Sequence, residues 1–175
     1  MGTNRRNPMS KILQAGTVAP DFTLQSTAGT SAGDKAETIK LSDLKGKNVV
    51  IAFYPADWSA VCGDQLTLYN EVLSVFEKYN SVFLGISVDG AFCHQAFREN
   101  RNFKLSLLSD FEPKGAVAKE YGVYRDKDGF TERALFVIDD KGIIRWSYLS
   151  PIDVNPGANH IIEALKEIQG DKKND

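Results

Sequence analysis

The chain has 175 residues, enough for one domain with a real core and hardly for two. It is 42% hydrophobic and 25% charged, with a formal net charge of −2 and its basic residues scattered, which excludes a nucleic-acid-binding stripe. No apolar run approaches the ~18 residues of a membrane span, no apolar segment follows Arg5 and Arg6 as in a secretory signal, and two cysteines are too few for an extracellular disulfide scaffold. A cytoplasmic protein with no membrane or nucleic-acid partner is therefore expected.

Residues 1–11 and 170–175 are polar ends, expected to be a flexible extension and a flexible tail around one folded domain at 12–169. A first strand is expected near Ala19-Pro20-Asp21-Phe22-Thr23-Leu24, and the stretch from Thr27 to Glu37, rich in Gly, Ser and Thr, reads as a surface loop. Val49 to Phe53 is unbroken hydrophobe, the pattern of a parallel strand covered on both faces. A helix is expected from about Ala60 to Tyr79, where Leu66, Tyr69, Leu73 and Phe76 share one face and Cys62 lies one turn before Leu66. Strands follow at Val82 to Val88 and Leu105 to Leu108, with shorter helices at 91–100 and 114–121. Ala134 to Ile138 and the alternating run Ile143 to Tyr148, joined by Asp140-Lys141-Gly142, read as a hairpin, and a last helix is expected at 159–168. This order gives an α/β, thioredoxin-like fold with a central mixed β-sheet flanked by helices.

A strand ending at Phe53, a short turn holding Pro55 and a helix starting near Ala60 put Cys62 at the carboxyl edge of the sheet, where open α/β sheets build their sites. The unpaired N–H groups and dipole of a helix's first turn favour negative charge there. Ionisation alone is a small part of such chemistry. A free thiol of pKa ~8.5 is about 3% thiolate at pH 7, so full ionisation gains roughly 30-fold, or ~2 kcal/mol, against the ~8 kcal/mol or more that enzymes supply. The rest has to come from positioning and from donors such as the Ser59 hydroxyl, the Cys62 N–H and a cation from elsewhere in the fold. On placement alone, a cysteine that merely fills space is as good a reading as a reactive one.

The segment Phe53-Tyr54-Pro55-Ala56-Asp57-Trp58-Ser59-Ala60-Val61-Cys62 resembles the active-site signature of the peroxiredoxins (AhpC/TSA superfamily), with Pro55, Ser59 and Cys62 matching in type and spacing. Arg133, ahead of Ala-Leu-Phe-Val-Ile-Asp-Asp-Lys-Gly, matches the family's arginine before a late strand. The run from Leu107 to Gly122 is most similar to the AhpE-like branch. The resemblance covers about residues 12 to 169. It implies a thiol-dependent peroxidase acting on hydrogen peroxide and small organic hydroperoxides, with no cofactor or metal. It also implies that Cys62 becomes a sulfenic acid, that Pro55 shields it, that Ser59 binds the peroxide and that Arg133 stabilises thiolate and transition state. A thioredoxin-, glutaredoxin- or mycoredoxin-like reductant and a homodimer or higher homo-oligomer are the implied partners. Three departures stand out: Ser59 where threonine is commoner, Gly63 where many relatives have proline, and Gln65 in place of the glutamate that pairs with the arginine. The alternatives to an enzyme are a peroxide sensor that relays oxidation to a partner, or a holdase chaperone. A Cys-x-x-Cys disulfide reductase is opposed by Cys62-Gly63-Asp64-Gln65.

Tyr54, Trp58 and Gln65 are expected around the pocket, with core packing the alternative for the two aromatic residues. Cys93, early in the 91–100 helix at the same sheet edge, is the candidate resolving cysteine; a small packing residue above Phe97 is the other reading. His94 and His160 lack metal-ligand spacing and read as surface or packing residues, while Arg145 resembles a second family arginine after the hairpin, with a simply solvated residue the other reading.

Overall fold

The computed structural model describes residues 12–27 and 37–174; the expected N-terminal extension and the middle of the 27–37 loop lie outside them. In chain order the elements are β1 (Thr23–Ser26), β2 (Glu37–Lys40), β3 (Asn48–Phe53), α1 (Ala60–Glu71), α2 (Leu73–Lys78), β4 (Ser81–Ser87) and α3 (Ala91–Arg101). They continue with β5 (Ser106–Ser109), α4 (Ala116–Glu120), β6 (Tyr124–Arg125), β7 (Phe130–Thr131), β8 (Arg133–Ile138), β9 (Ile144–Ser150) and α5 (Asn159–Lys172).

Among the described residues, seven strands form one sheet in the order β2-β1-β5-β4-β3-β8-β9. The pairs β3–β4 and β4–β5 are parallel, while β1, β8 and β9 run antiparallel to their neighbours, so the sheet is mixed as expected. Alternation along β3 explains why all six of its residues are buried. Val50 and Ala52 face a core built with Cys62, Leu66, Tyr69, Phe76, Ile161 and Leu165. Val49, Ile51 and Phe53 face the other, with Phe22, Tyr121 and Phe136. This is the expected thioredoxin-like α/β architecture.

The sequence reading differs from the structure at particular elements. The single helix expected over 60–79 breaks at Val72, whose φ of −99° and ψ of 10° leave the helical region. The break re-aims α2, so that Phe76 stacks parallel to Phe83 on β4 with ring centroids 6.0 Å apart. The last helix does not stop at 168 and the tail does not begin at 170: α5 continues to Lys172. Charges from the β8–β9 hairpin hold that last turn, since Lys172 Nζ reaches Asp140 at 2.8 Å and Arg145, far from simply solvated, bonds both Asp139 and Asp171. Partners 26 and 32 residues away leave no periodic trace. Strand β2 and the two-residue pair β6–β7 are likewise too short, or too polar, to stand out.

Three tyrosines anchored in these cores set an alkaline limit to stability. Burial pushes Tyr69 up to about 12, raises Tyr121, and with the adjacent Asp57 charge raises Tyr54 well above its ordinary range. Above about pH 10 the unfolded chain sheds these phenolic protons while the folded chain keeps them, so the unfolded state binds fewer protons and stability falls as pH rises. Below that pH their contribution is fully present. Each tyrosine costs up to ~1.4 kcal/mol per pH unit. Urea midpoints are expected to hold steady up to about pH 9.5 and drop steeply from about pH 10; a flat midpoint to about pH 11.5 would contradict this burial.

Candidate active site

The site begins where β3 ends. Thr131 Oγ1 donates to the Tyr54 carbonyl at 2.6 Å, and the buried Pro55 follows in the loop leading to Ser59. Ser59 is the N-cap of α1: its extended backbone (φ −68°, ψ 143°) lets Oγ accept the Cys62 N–H at 3.3 Å. Cys62 is therefore the third residue of the helix, fully buried, with its sulfur beside the first turn.

Arg133 arrives from across the sheet. Ala134 pairs with Phe53 in the antiparallel β3–β8 register, so the preceding residue enters at the edge where β3 stops. Its guanidinium is 1% exposed and fully employed. Nη1 and Nη2 both donate toward Cys62 Sγ at 3.5 Å, Nη1 also reaches Gln65 Oε1 at 2.6 Å, and Nε and Nη2 donate to the Ile152 carbonyl at 3.0 and 2.8 Å. Among the described residues no carboxylate lies within ion-pair distance of this buried cation. Gln65 has one consistent orientation: its oxygen accepts from Arg133, its amide donates to Tyr69 Oη at 3.0 Å, and that hydroxyl donates to the Gly157 carbonyl. A glutamate there would turn the Tyr69 hydroxyl inward and strip Gly157 of its donor. At Gly63 a Cβ would fall 2.9 Å from Arg101 Nη2, so the glycine gives that arginine room.

The fold thus gathers Cys62, Ser59, Gln65 and Arg133, with Pro55 in the connecting loop. The other expected pocket residues turn toward α3. Tyr54 is fully buried, and its hydroxyl donates to Asp57 Oδ1 at 2.6 Å. Trp58 is 50% exposed and rests on Phe97 with ring centroids 5.1 Å apart. Cys93 is half-buried and free, as is Cys62. Its thiol sits beside Asp57, Asp89 and the Trp58 side chain, and burial together with the Asp57 charge pushes it up to about 11. Its sulfur and the two carboxylates lie within 4.8 Å of one another, but both Asp57 oxygens are already bonded, to Tyr54 and His94.

Two residues escape the sequence reading. Asp57 and His94 form a fully buried pair, Nδ1 to Oδ2 at 2.7 Å. A polar residue two positions before the cap and a histidine on the buried face of α3 were the available signals; the fold alone joins them.

The AhpC/TSA family model matches residues 15–147. Peroxiredoxin-1 of Gallus gallus is 36% identical over 161 residues, covering 88% of this chain and 78% of that protein. Alkyl hydroperoxide reductase E of Mycobacterium bovis is 35% identical over 137 residues, covering 78% of this chain and 85% of that protein. Among solved structures, the reduced 2-Cys peroxiredoxin of Plasmodium vivax superposes with a TM-score of 0.83 at 27% identity, covering 92% of this chain and 84% of that one. The chain belongs to the AhpC/TSA family and is a peroxiredoxin, a thiol-dependent peroxidase.

Proposed function

We propose that Cys62 is the peroxidatic thiol and that Ser59, Pro55 and Arg133 complete its site for hydrogen peroxide and small organic hydroperoxides. The forked approach of Arg133 Nη1 and Nη2 to Sγ, both at 3.5 Å, carries this reading. A buried guanidinium surrounded by neutral oxygens is costly unless an anion balances it, and the Cys62 thiolate is that anion. The thiolate attacks one peroxide oxygen, the O–O bond breaks, and sulfur loses two electrons to become a sulfenic acid. The leaving oxygen takes a proton and departs as water or alcohol. The same guanidinium N–H groups and the Ser59 hydroxyl stabilise charge on the separating oxygens.

A thiol reductant then attacks the sulfenic acid, releasing water and forming a mixed disulfide, and a second thiol releases Cys62. We assign this to an external thioredoxin-, glutaredoxin- or mycoredoxin-like protein. Cys93 favours the packing role: its thiol is engaged with Asp57 and Trp58, and at about 11 it holds little thiolate for attack. Exposed Phe92, Phe111 and Trp58 at this end supply apolar surface for a homodimer or higher homo-oligomer. Two free cysteines suit the reducing cytoplasm.

Turnover with a dithiol reductant and intact mass after one equivalent of peroxide test this together. Many peroxides consumed per chain, and a gain of one oxygen, are expected. Consumption of a single peroxide per chain would favour a sensor and overturn the cycle; loss of two hydrogens instead would restore Cys93 as resolving cysteine.

A further inference from the structure

The loop that brings Pro55 and Ser59 to Cys62 is held in an uncommon shape. Trp58, immediately before the cap, has φ +69°, a left-handed conformation that a bulky residue adopts only where its surroundings over-determine it. The restraint comes from α3, an element that supplies nothing to the chemistry described above.

Asp57 and His94 make the fastening. Both are fully buried at the side chain, the condition under which polar groups are costly unless every one is bonded. Here they are. Asp57 Oδ1 accepts from Tyr54 Oη at 2.6 Å, Oδ2 meets His94 Nδ1 at 2.7 Å, and the Asp57 N–H donates to Asp89 Oδ2 at 2.9 Å. His94 Nε2 faces the Leu108 carbonyl at 2.9 Å. A carbonyl only accepts, so Nε2 carries a hydrogen, and one further hydrogen lies between Nδ1 and Oδ2. The Trp58 ring packs on Phe97, one turn along α3 from Cys93. The loop is thus tied to α3, and α3 to β5, through hydrogen bonds that share no residue with those of Arg133.

We propose that Asp57 and His94 are positioning residues of the peroxidase reaction. Their buried pair clamps residues 54–59 onto α3 in the conformation that seats Ser59 Oγ on the Cys62 N–H and so fixes the first turn of α1 that carries the sulfur. The clamp rests on the assignment of Cys62 as the reacting thiol. It acts through hydrogen bonds, which a neutral amide of the same shape reproduces: the oxygen of an asparagine accepts from Tyr54, and its NH2 donates to Nδ1 of a His94 that keeps its Nε2 hydrogen.

The test is single-turnover oxidation by hydrogen peroxide in a Trp146→Phe background, where Trp58 is the sole indole and reports the loop. Asp57→Ala is expected to lower the second-order rate constant about 10- to 100-fold and to shift the Trp58 emission of the folded protein to the red. Asp57→Asn is expected to stay within about threefold of the parent with its emission unchanged. If Asp57→Ala does not fold, Tyr54→Phe takes its place: it deletes one bond to Asp57, keeps the packing, and is expected to slow oxidation at least about threefold with the same direction of shift. A role in stability alone would reduce the reacting amplitude and leave rate constant and emission of the folded fraction as they were, and that result would overturn the clamp. So would an Asp57→Asn as slow as Asp57→Ala. The parent and Cys62→Ser, run alongside, separate the two assignments. A parent that reacts no faster than Cys62→Ser removes the reacting thiol and the clamp with it, whereas a fast parent beside an equally fast Asp57→Ala removes the clamp alone.

Discussion

Replacing Cys62 by serine is expected to lower peroxide consumption by at least ~10³-fold, because the hydroxyl oxygen is neither ionised near neutral pH nor able to take up the two-electron oxidised state. The variant is a clean test of chemistry. Serine is close in volume to cysteine, and its Oγ can accept the same two Arg133 N–H groups that approach Sγ at 3.5 Å. The guanidinium keeps its hydrogen bonds but loses its balancing anion, so the variant is expected to be less stable and its rate is read on the folded protein. Cys93 remains as an internal comparison, and it makes a poor substitute. A thiol at about 11 is ionised to the extent of only ~10⁻⁴ at pH 7, and among the described residues no cation is forked onto it. Rapid-mixing oxidation should therefore lose its fast phase in Cys62→Ser and keep it in Cys93→Ser. A fast phase that survives in Cys62→Ser would move the reacting centre elsewhere.

Arg133→Gln is expected to slow the same fast phase by about 10²- to 10³-fold, the scale on which removal of one preorganised donor to a developing oxyanion acts. Arg133 supplies two donors and the positive charge in the cluster of Ser59, Cys62, Gln65 and Arg133. Arg133→Lys separates the contributions. An ammonium keeps the charge but cannot hold the Ile152 carbonyl, Gln65 and the sulfur at once, as the planar fork does. Its rate should fall between glutamine and wild type, by about 10- to 100-fold. Stopped-flow oxidation of both variants, with folding checked by near-ultraviolet circular dichroism, measures this. Equal rates for lysine and wild type would mean that charge alone suffices and that the forked geometry is incidental.

These magnitudes account for part of the shortfall left by ionisation. Forming the thiolate is worth ~2 kcal/mol for an ordinary thiol, and a 10²- to 10³-fold donor effect is worth about 2.7–4 kcal/mol more. In the proposed mechanism, positioning of the peroxide at the Ser59 cap supplies a further increment.

Several features were legible along the chain because they are local. The unbroken run at Val49 to Phe53 marks a strand covered on both faces, and the stripe Leu66, Tyr69, Phe76 marks the buried face of a helix with Cys62 one turn before it. The strand and the place of the cysteine follow from periods of two and 3.6 residues. The sequence by itself therefore determined the α/β order and placed Cys62 at a helix start. What only the tertiary structure decided lies between residues far apart. Arg133 meets Cys62 across 71 positions because β8 pairs antiparallel with β3, and a register is a property of two strands together. His94 meets Asp57 across 37 positions because α3 packs beside the loop, and Arg145 meets Asp171 because α5 crosses the hairpin. Those pairings decide how the buried guanidinium is balanced and what holds the catalytic loop, since a buried charge or hydrogen-bonding group takes its partner from whatever the packed fold brings within about 3 Å.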